Sequence, residues 1–267
     1  GDVYKRQVLS YLWIVVPIAI SFGIIAAWAV YAIATFSTYD SGYADTSELE
    51  GMLKAMIVII FPAEIVASLV LAVLAYQLVK RQNDHFARER ELREGIVSMI
   101  RAAAGSAERE QLLARELGGM WFAHRAQEEE HNPMLWGVVI ALPTALIALA
   151  GVLMWAMVME PLEDVVGAIL IAFVVLLVVD ILYMVLQFYM FYFLGKNMFE
   201  HDGRWNTFIH QARLGMSRLG FPGGRPYHVS RLPERSFILY LVVAIFISIF
   251  IWYWWYALIK DPNEHFR

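Results

Sequence analysis

Tyr76-Gln77-Leu78-Val79-Lys80-Arg81-Gln82-Asn83-Asp84-His85-Phe86 decides how this chain is read, because it returns as Tyr256-Ala257-Leu258-Ile259-Lys260-Asp261-Pro262-Asn263-Glu264-His265-Phe266. A looser copy begins at Tyr192, continues through Leu194, Lys196, Glu200 and His201, and reaches Arg204. Each copy places Leu two, Lys four, an acid eight and His nine residues after Tyr, and each follows a long apolar run. One unit has been used three times, each time where an apolar helix gives way to polar chain.

Working outward, the composition fits that picture. Hydrophobic residues make up 60% of the chain and mean hydropathy is +0.55, above the usual range of soluble globular domains. A net charge of -4 and a pI near 6.0 leave no global basic surface for nucleic acid. The absence of cysteine excludes disulfides, thiolate metal sites and cysteine nucleophiles.

Five apolar segments, residues 8–35, 55–79, 134–159, 165–194 and 237–259, each have the length needed to cross a bilayer. Their hydrophobicity is continuous rather than alternating, which excludes a strand barrel and predicts an all-α, polytopic helical bundle. The linkers 80–133 and 196–235 carry nine and seven basic residues. The connections with Asp40, Asp45, Glu48 and Glu50, and with Glu160, Glu163 and Asp164, are acidic. The basic linkers are therefore expected in the cytoplasm of a cell-membrane protein.

The resulting organisation is a membrane hairpin over 8–86, a cytoplasmic linker over 87–133, a second hairpin over 134–202, a second linker over 203–235 and a fifth span with the third motif over 236–267. An offset of 116 maps Tyr76, Lys80, His85 and Arg88 onto Tyr192, Lys196, His201 and Arg204, and Glu64 onto Asp180. Both hairpins start from the same side, so they read as parallel repeats. The third copy fits less easily. A single crossing by 237–259 is the simpler reading and places Lys260 and His265 outside, whereas a broken or re-entrant helix would return them. The stop at Arg267 suggests truncation and a missing sixth helix.

The first linker reads as two helices separated at Gly105-Ser106. Leu92, Ile96, Met99, Ile100 and Ala103 form one face, and Leu112, Leu113 and Leu117 resume it. The second reads as helix to about Leu219, with Trp205, Phe208, Ile209 and Ala212 on one side, ending in a glycine- and proline-rich stretch from Gly220.

Glu64 and Asp180 are the sharpest polar candidates, each twelve residues before its motif tyrosine and near mid-membrane. A charge at that depth costs at least about 2.5–3.5 kcal/mol, so each is protonated, hydrogen-bonded or hydrated. A meeting of the two would handle protons or cations; separately they would join helices. In the third copy Ala244 stands at the matching place. The interfacial motif residues Tyr76, Lys80, His85, Arg88, Tyr192, Lys196, His201, Arg204, Tyr256, Lys260 and His265 read first as membrane-belt anchors. Metal or headgroup binding by His85, His201 and nearby acids is the alternative. No two histidines lie three or four apart, so no metal site is expected from spacing. His124 and His131 are placed on a solvated face. No P-loop, GxSxG, HExxH or dinucleotide fingerprint is present, so neither an enzyme nor a cofactor is expected.

The aromatic run Trp254-Trp255 leading into Tyr256, Lys260 and Asn263-Glu264 resembles the helix-end motif of an uncharacterised family of prokaryotic multi-helix membrane domains. The second copy departs from that pattern at Phe199. The resemblance implies a prokaryotic membrane location and no activity. Asp2 to Gln7 resemble a translated sequencing adapter and are set aside with Gly1. The expected role is a membrane scaffold or assembly component working through its linkers, with the bilayer and either a cytoplasmic protein or a second copy as partner. The competing expectation is a proton or cation channel or transporter using Glu64 and Asp180.

Overall fold

The computed structural model describes residues 9–37, 46–105, 108–159, 162–220 and 232–265. The adapter-like start, the loop acids Asp40, Asp45 and Glu160, and the glycine- and proline-rich stretch after Gly220 lie outside the described residues. Among those described, every regular element is an α-helix: α1 Leu12–Ser37, α2 Thr46–Ala104, α3 Glu108–Ala126, α4 Pro133–Met159, α5 Leu162–Arg218, α6 Phe237–Phe246 and α7 Phe250–His265. The helices α1, α2, α4 and α5 are long and apolar enough to cross a membrane.

The fifth segment corrects the sequence reading. Residues 237–259 do not form one crossing but break between α6 and α7 at Ile247, Ser248 and Ile249. Ser236 caps α6 by accepting from the Leu239 N–H, and the Ile247 N–H closes its end on the Val243 carbonyl at 2.7 Å. The legs fold against each other through aromatic contacts, with Tyr240 5.0 Å from Phe250 and 5.3 Å from Trp254, and Phe237 5.6 Å from Trp254. Across the open end Arg235 donates to both carboxylate oxygens of Asp261, at 2.6 and 2.8 Å. No proline or glycine marks the break. A two-pronged ion pair and edge-on and tilted ring contacts favour the hairpin where local sequence would continue the helix.

The chain forms two compact units. The first comprises Leu9, Leu78–Asn132 and the described residues of Phe191–Arg267. Its core joins Val97 and Ile100 of α2, Ala114 and Leu117 of α3, and Trp205, Phe208 and Ala212 of α5. At Gly215 α5 runs close to α3: a Cβ there would lie 2.6 Å from Leu113 Cδ2, and a larger residue would oblige Leu113 to shift. Gly105 ends α2 with φ +54°, a conformation that glycine adopts without strain, and α3 begins three residues on. The second-linker face is as expected, but the first is rotated. Leu92, Met99, Ala103 and Leu112 are exposed, while Arg93, Val97, Ile100 and Ala104 are buried.

The second unit contains Ser10–Gln77 and Pro133–Met190. Here α4 lies close to α2: a Cβ on Gly137 would come within 3.3 Å of Tyr76 Cβ, and one on Gly151 within 3.1 Å of the Phe61 ring. Thr144 donates to Ser68 at 2.8 Å, and Trp136 packs on Tyr189 at 5.8 Å. Many aliphatic side chains stand open, among them Val58, Val66, Val152, Val178 and Val185, as suits helices that face hydrocarbon.

Candidate functional site

The histidines of the three motif copies meet inside the first unit. The His85 ring centroid lies 5.2 Å from that of His201 and 5.2 Å from that of His265, both edge-on. Phe86 stacks on His201 at 4.3 Å and supplies an apolar wall. His265 can take part because the α6–α7 hairpin returns α7, which corrects the expected outward placement of the third motif.

Around the rings, residues four apart on α2 make a polar stripe: His85, Glu89 and Arg93. His201 donates from Nε2 to Glu89 Oε2 at 2.6 Å and from Nδ1 to Glu128 Oε1 at 3.1 Å. Burial opposes a charge on His201, but its bonds to Glu128 and Glu89 prevail and raise its pKa above the ordinary histidine value. Glu128 shows the reciprocal shift. Burial would raise its pKa, but the hydrogen bond to His201 and the nearby Arg93 lower it. His201 is thus an imidazolium held by two carboxylates. Arg93, wholly buried, donates to Glu128 at 2.8 Å, reaches Glu89 at 3.5 Å and lies over the Trp205 ring at 5.4 Å.

His85 behaves in the opposite way. Burial, then the positive neighbours His201, His265, Arg88 and Arg81, push its pKa well below the ordinary value. Its Nε2 stands 3.4 Å from Glu89 Oε1. Asp202 accepts the Leu232 N–H at 3.2 Å, and its Oδ1 lies 3.2 Å from His265 Nδ1.

A second set of bonds ties motif ends to chain that enters other helices. Asn83 donates to the His131 carbonyl at 2.7 Å and accepts the His131 N–H at 3.4 Å, just ahead of α4. Asn263 exchanges the same pair of bonds with Leu9, just ahead of α1, both at 3.0 Å. Arg81 also donates to Asn263 at 2.7 Å. Asp202, holding Leu232 ahead of α6, fills this role at the copy where Phe199 replaces asparagine.

The remaining motif residues lie around this cluster. Lys196 is exposed, donates to Tyr192 at 2.9 Å and lies 3.8 Å from Glu200, which Arg204 approaches at 3.5 Å. Lys260 and Glu264 are 3.7 Å apart; Lys80 and Tyr256 are exposed, and Tyr76 and Arg88 half-buried. His124 and His131 are half-buried rather than on a solvated face. Burial, then Arg93 and Arg204, lower the His124 pKa to about 4, and His131 stacks on Phe193 at 3.8 Å.

A separate cavity of about 600 Å³ lies between α5 and the α6–α7 hairpin, walled by Phe191, Phe237 and Trp254 with Lys196, Arg235 and Asp261 at its polar edge. In the second unit Glu64 is half-buried and Asp180 exposed, and among the described residues no hydrogen bond or ion pair joins them. Comparisons with protein families, curated proteins and solved structures find no match.

Sequence reasoning found the three histidines but missed Glu89, Arg93, Glu128 and Asp202. The four-residue spacing of His85, Glu89 and Arg93 was the available signal for two of them. Glu128 lies in the acidic run 128–130 beyond α3, and nothing in its local sequence separates it from Glu129 and Glu130.

Proposed function

We propose that this chain is a multi-pass protein of the prokaryotic cell membrane that serves as a scaffold or assembly component, with its basic linkers in the cytoplasm. In this reading three repeated helical hairpins, the third re-entrant, bring their motif ends to one cytoplasmic hub. The hub holds the linker helices as a rigid docking body, and no catalytic step is assigned to it.

One observation carries the reading. The linkers have a packed core of their own, yet Leu92, Met99, Leu112, Leu214 and above all Phe122, 68% exposed, remain uncovered. Large apolar side chains beyond the bilayer segments are what a protein partner or a second copy would cover. The transport reading has less support, because Glu64 and Asp180 lack a joining contact and differ in exposure.

Replacing Phe122 and Leu112 by Glu tests this. The expected result is that crosslinking in native membranes captures a discrete partner or second copy with the parent chain and loses it with the variant, while the thermal midpoint stays unchanged. No capture by the parent, together with cation flux in proteoliposomes that disappears in the Glu64→Gln, Asp180→Asn variant, would replace the scaffold with a channel.

A further inference from the structure

We propose that His85, Glu89 and His265 form a binding site for one divalent transition-metal cation of zinc's chemical class. The site takes from the reading above only the meeting of the motif copies. A partner-docking failure would leave it standing.

The geometry is that of a contracted ligand set. One ligand atom from each of the three residues lies within 4.8 Å of the other two. Two donors at about 2.0–2.1 Å from a tetrahedral zinc lie roughly 3.3 Å apart. The distance of 3.4 Å from His85 Nε2 to Glu89 Oε1 matches that edge. It is long for a charge-assisted hydrogen bond, which runs about 2.7–2.9 Å. The atom offered by His265 lies within 4.8 Å of both, so closing the other two edges takes an inward shift of its side chain. Two imidazoles and one carboxylate suit zinc or ferrous iron, and three protein ligands leave a position for water or substrate.

Supporting residues surround the ligands as they do in built metal sites. Glu89 Oε2 is held by His201 at 2.6 Å and by Arg93 at 3.5 Å, which directs Oε1 to His85. His265 Nδ1 stands 3.2 Å from Asp202 Oδ1, and Asp202 is itself fixed by the Leu232 N–H. A carboxylate behind a ligating histidine fixes its tautomer and raises its basicity. The positive field of His201, Arg81, Arg88 and Arg93 opposes a bound cation. The carboxylates Glu89, Glu128 and Asp202 oppose that field, and Arg81 and Arg93 are already engaged by Asn263 and Glu128. Spacing along one helix could not reveal such a site, because its ligands come from α2 and α7.

The test uses the full chain in detergent, without an oligohistidine tag, stripped with chelator and titrated with Co²⁺ and then Zn²⁺. One equivalent of Co²⁺ should bind at micromolar concentration, give visible d–d bands of a four- or five-coordinate site and be displaced by Zn²⁺. His85→Ala and His265→Ala should abolish the bands. Asp202→Asn should weaken binding roughly tenfold or more, and His210→Ala, at an exposed position, should leave it intact. A folded parent chain that takes up no stoichiometric Co²⁺, or bands that persist in both histidine variants, would overturn the proposal. If those variants unfold, the parent titration and Glu89→Gln decide the matter.

Discussion

The two units treat buried polarity differently. In the first, Arg93, His201, Glu128, Asp202 and Asn263 are nearly or wholly buried, and each is held by a partner of opposite charge or by backbone. In the second, two acids sit in apolar helices, and a side-chain bond nearby joins Thr144 to Ser68 instead. Buried charge can rigidify a structure only when every member is satisfied. The polar core of the first unit is paired but not saturated, since Arg93 Nε and Glu128 Oε2 make no hydrogen bond among the described residues, whereas the second unit is a set of lipid-suited helices in which Asp180 is exposed.

The contrast can be broken by substitution. Arg93→Ala leaves Glu128 and Glu89 sharing His201 in a largely buried site and should destabilise the first unit by about 3–5 kcal/mol, read from the thermal unfolding of the chain. A loss below about 1 kcal/mol would mean that water enters and the core is not dry. Asn263→Ala removes bonds to Leu9 and Arg81 and should cost about 1–3 kcal/mol. Asn83→Ala should cost less, since its bonds to His131 are half-buried. Glu64→Gln with Asp180→Asn should change the thermal midpoint least, and a large loss there would reveal a pairing that erases the contrast.

Acidity sharpens the comparison. His201 has a raised folded pKa, so its contribution is complete below the unfolded value and is lost as pH rises through the folded one. Glu128, lowered, contributes above its unfolded value and loses that contribution as pH falls through its folded one. His85 and His124 are both lowered, so protons favour the unfolded chain once pH drops below the ordinary histidine value, about 6.5. Thermal midpoints of the full chain should therefore peak near neutrality and fall on both sides, and His201→Gln should remove the alkaline limb.

Much of this was legible in sequence, for physical reasons. Continuous hydrophobicity has one solution in lipid, so the helical class followed directly. The repeated Tyr, Lys and His spacing found three residues that meet. The hairpin at Ile247 to Ile249 was not legible, because its cause is tertiary: Arg235 grips Asp261 from 26 residues away, and no local breaker announces the turn. The first-linker face was misread because Leu92 and Met99 were weighted by hydrophobicity. The true stripe begins with polar groups, His85, Glu89 and Arg93, and becomes apolar only at Val97 and Ile100.

The decisive measurement is sidedness at all three motif copies. The chain has no cysteine, so single cysteines at Lys80, Lys196 and Glu264, each exposed, report individually to a membrane-impermeant maleimide. Labelling of all three in inverted vesicles and of none in intact cells is the expected result. Labelling of the Glu264 position from outside, with the other two protected, would contradict a common hub.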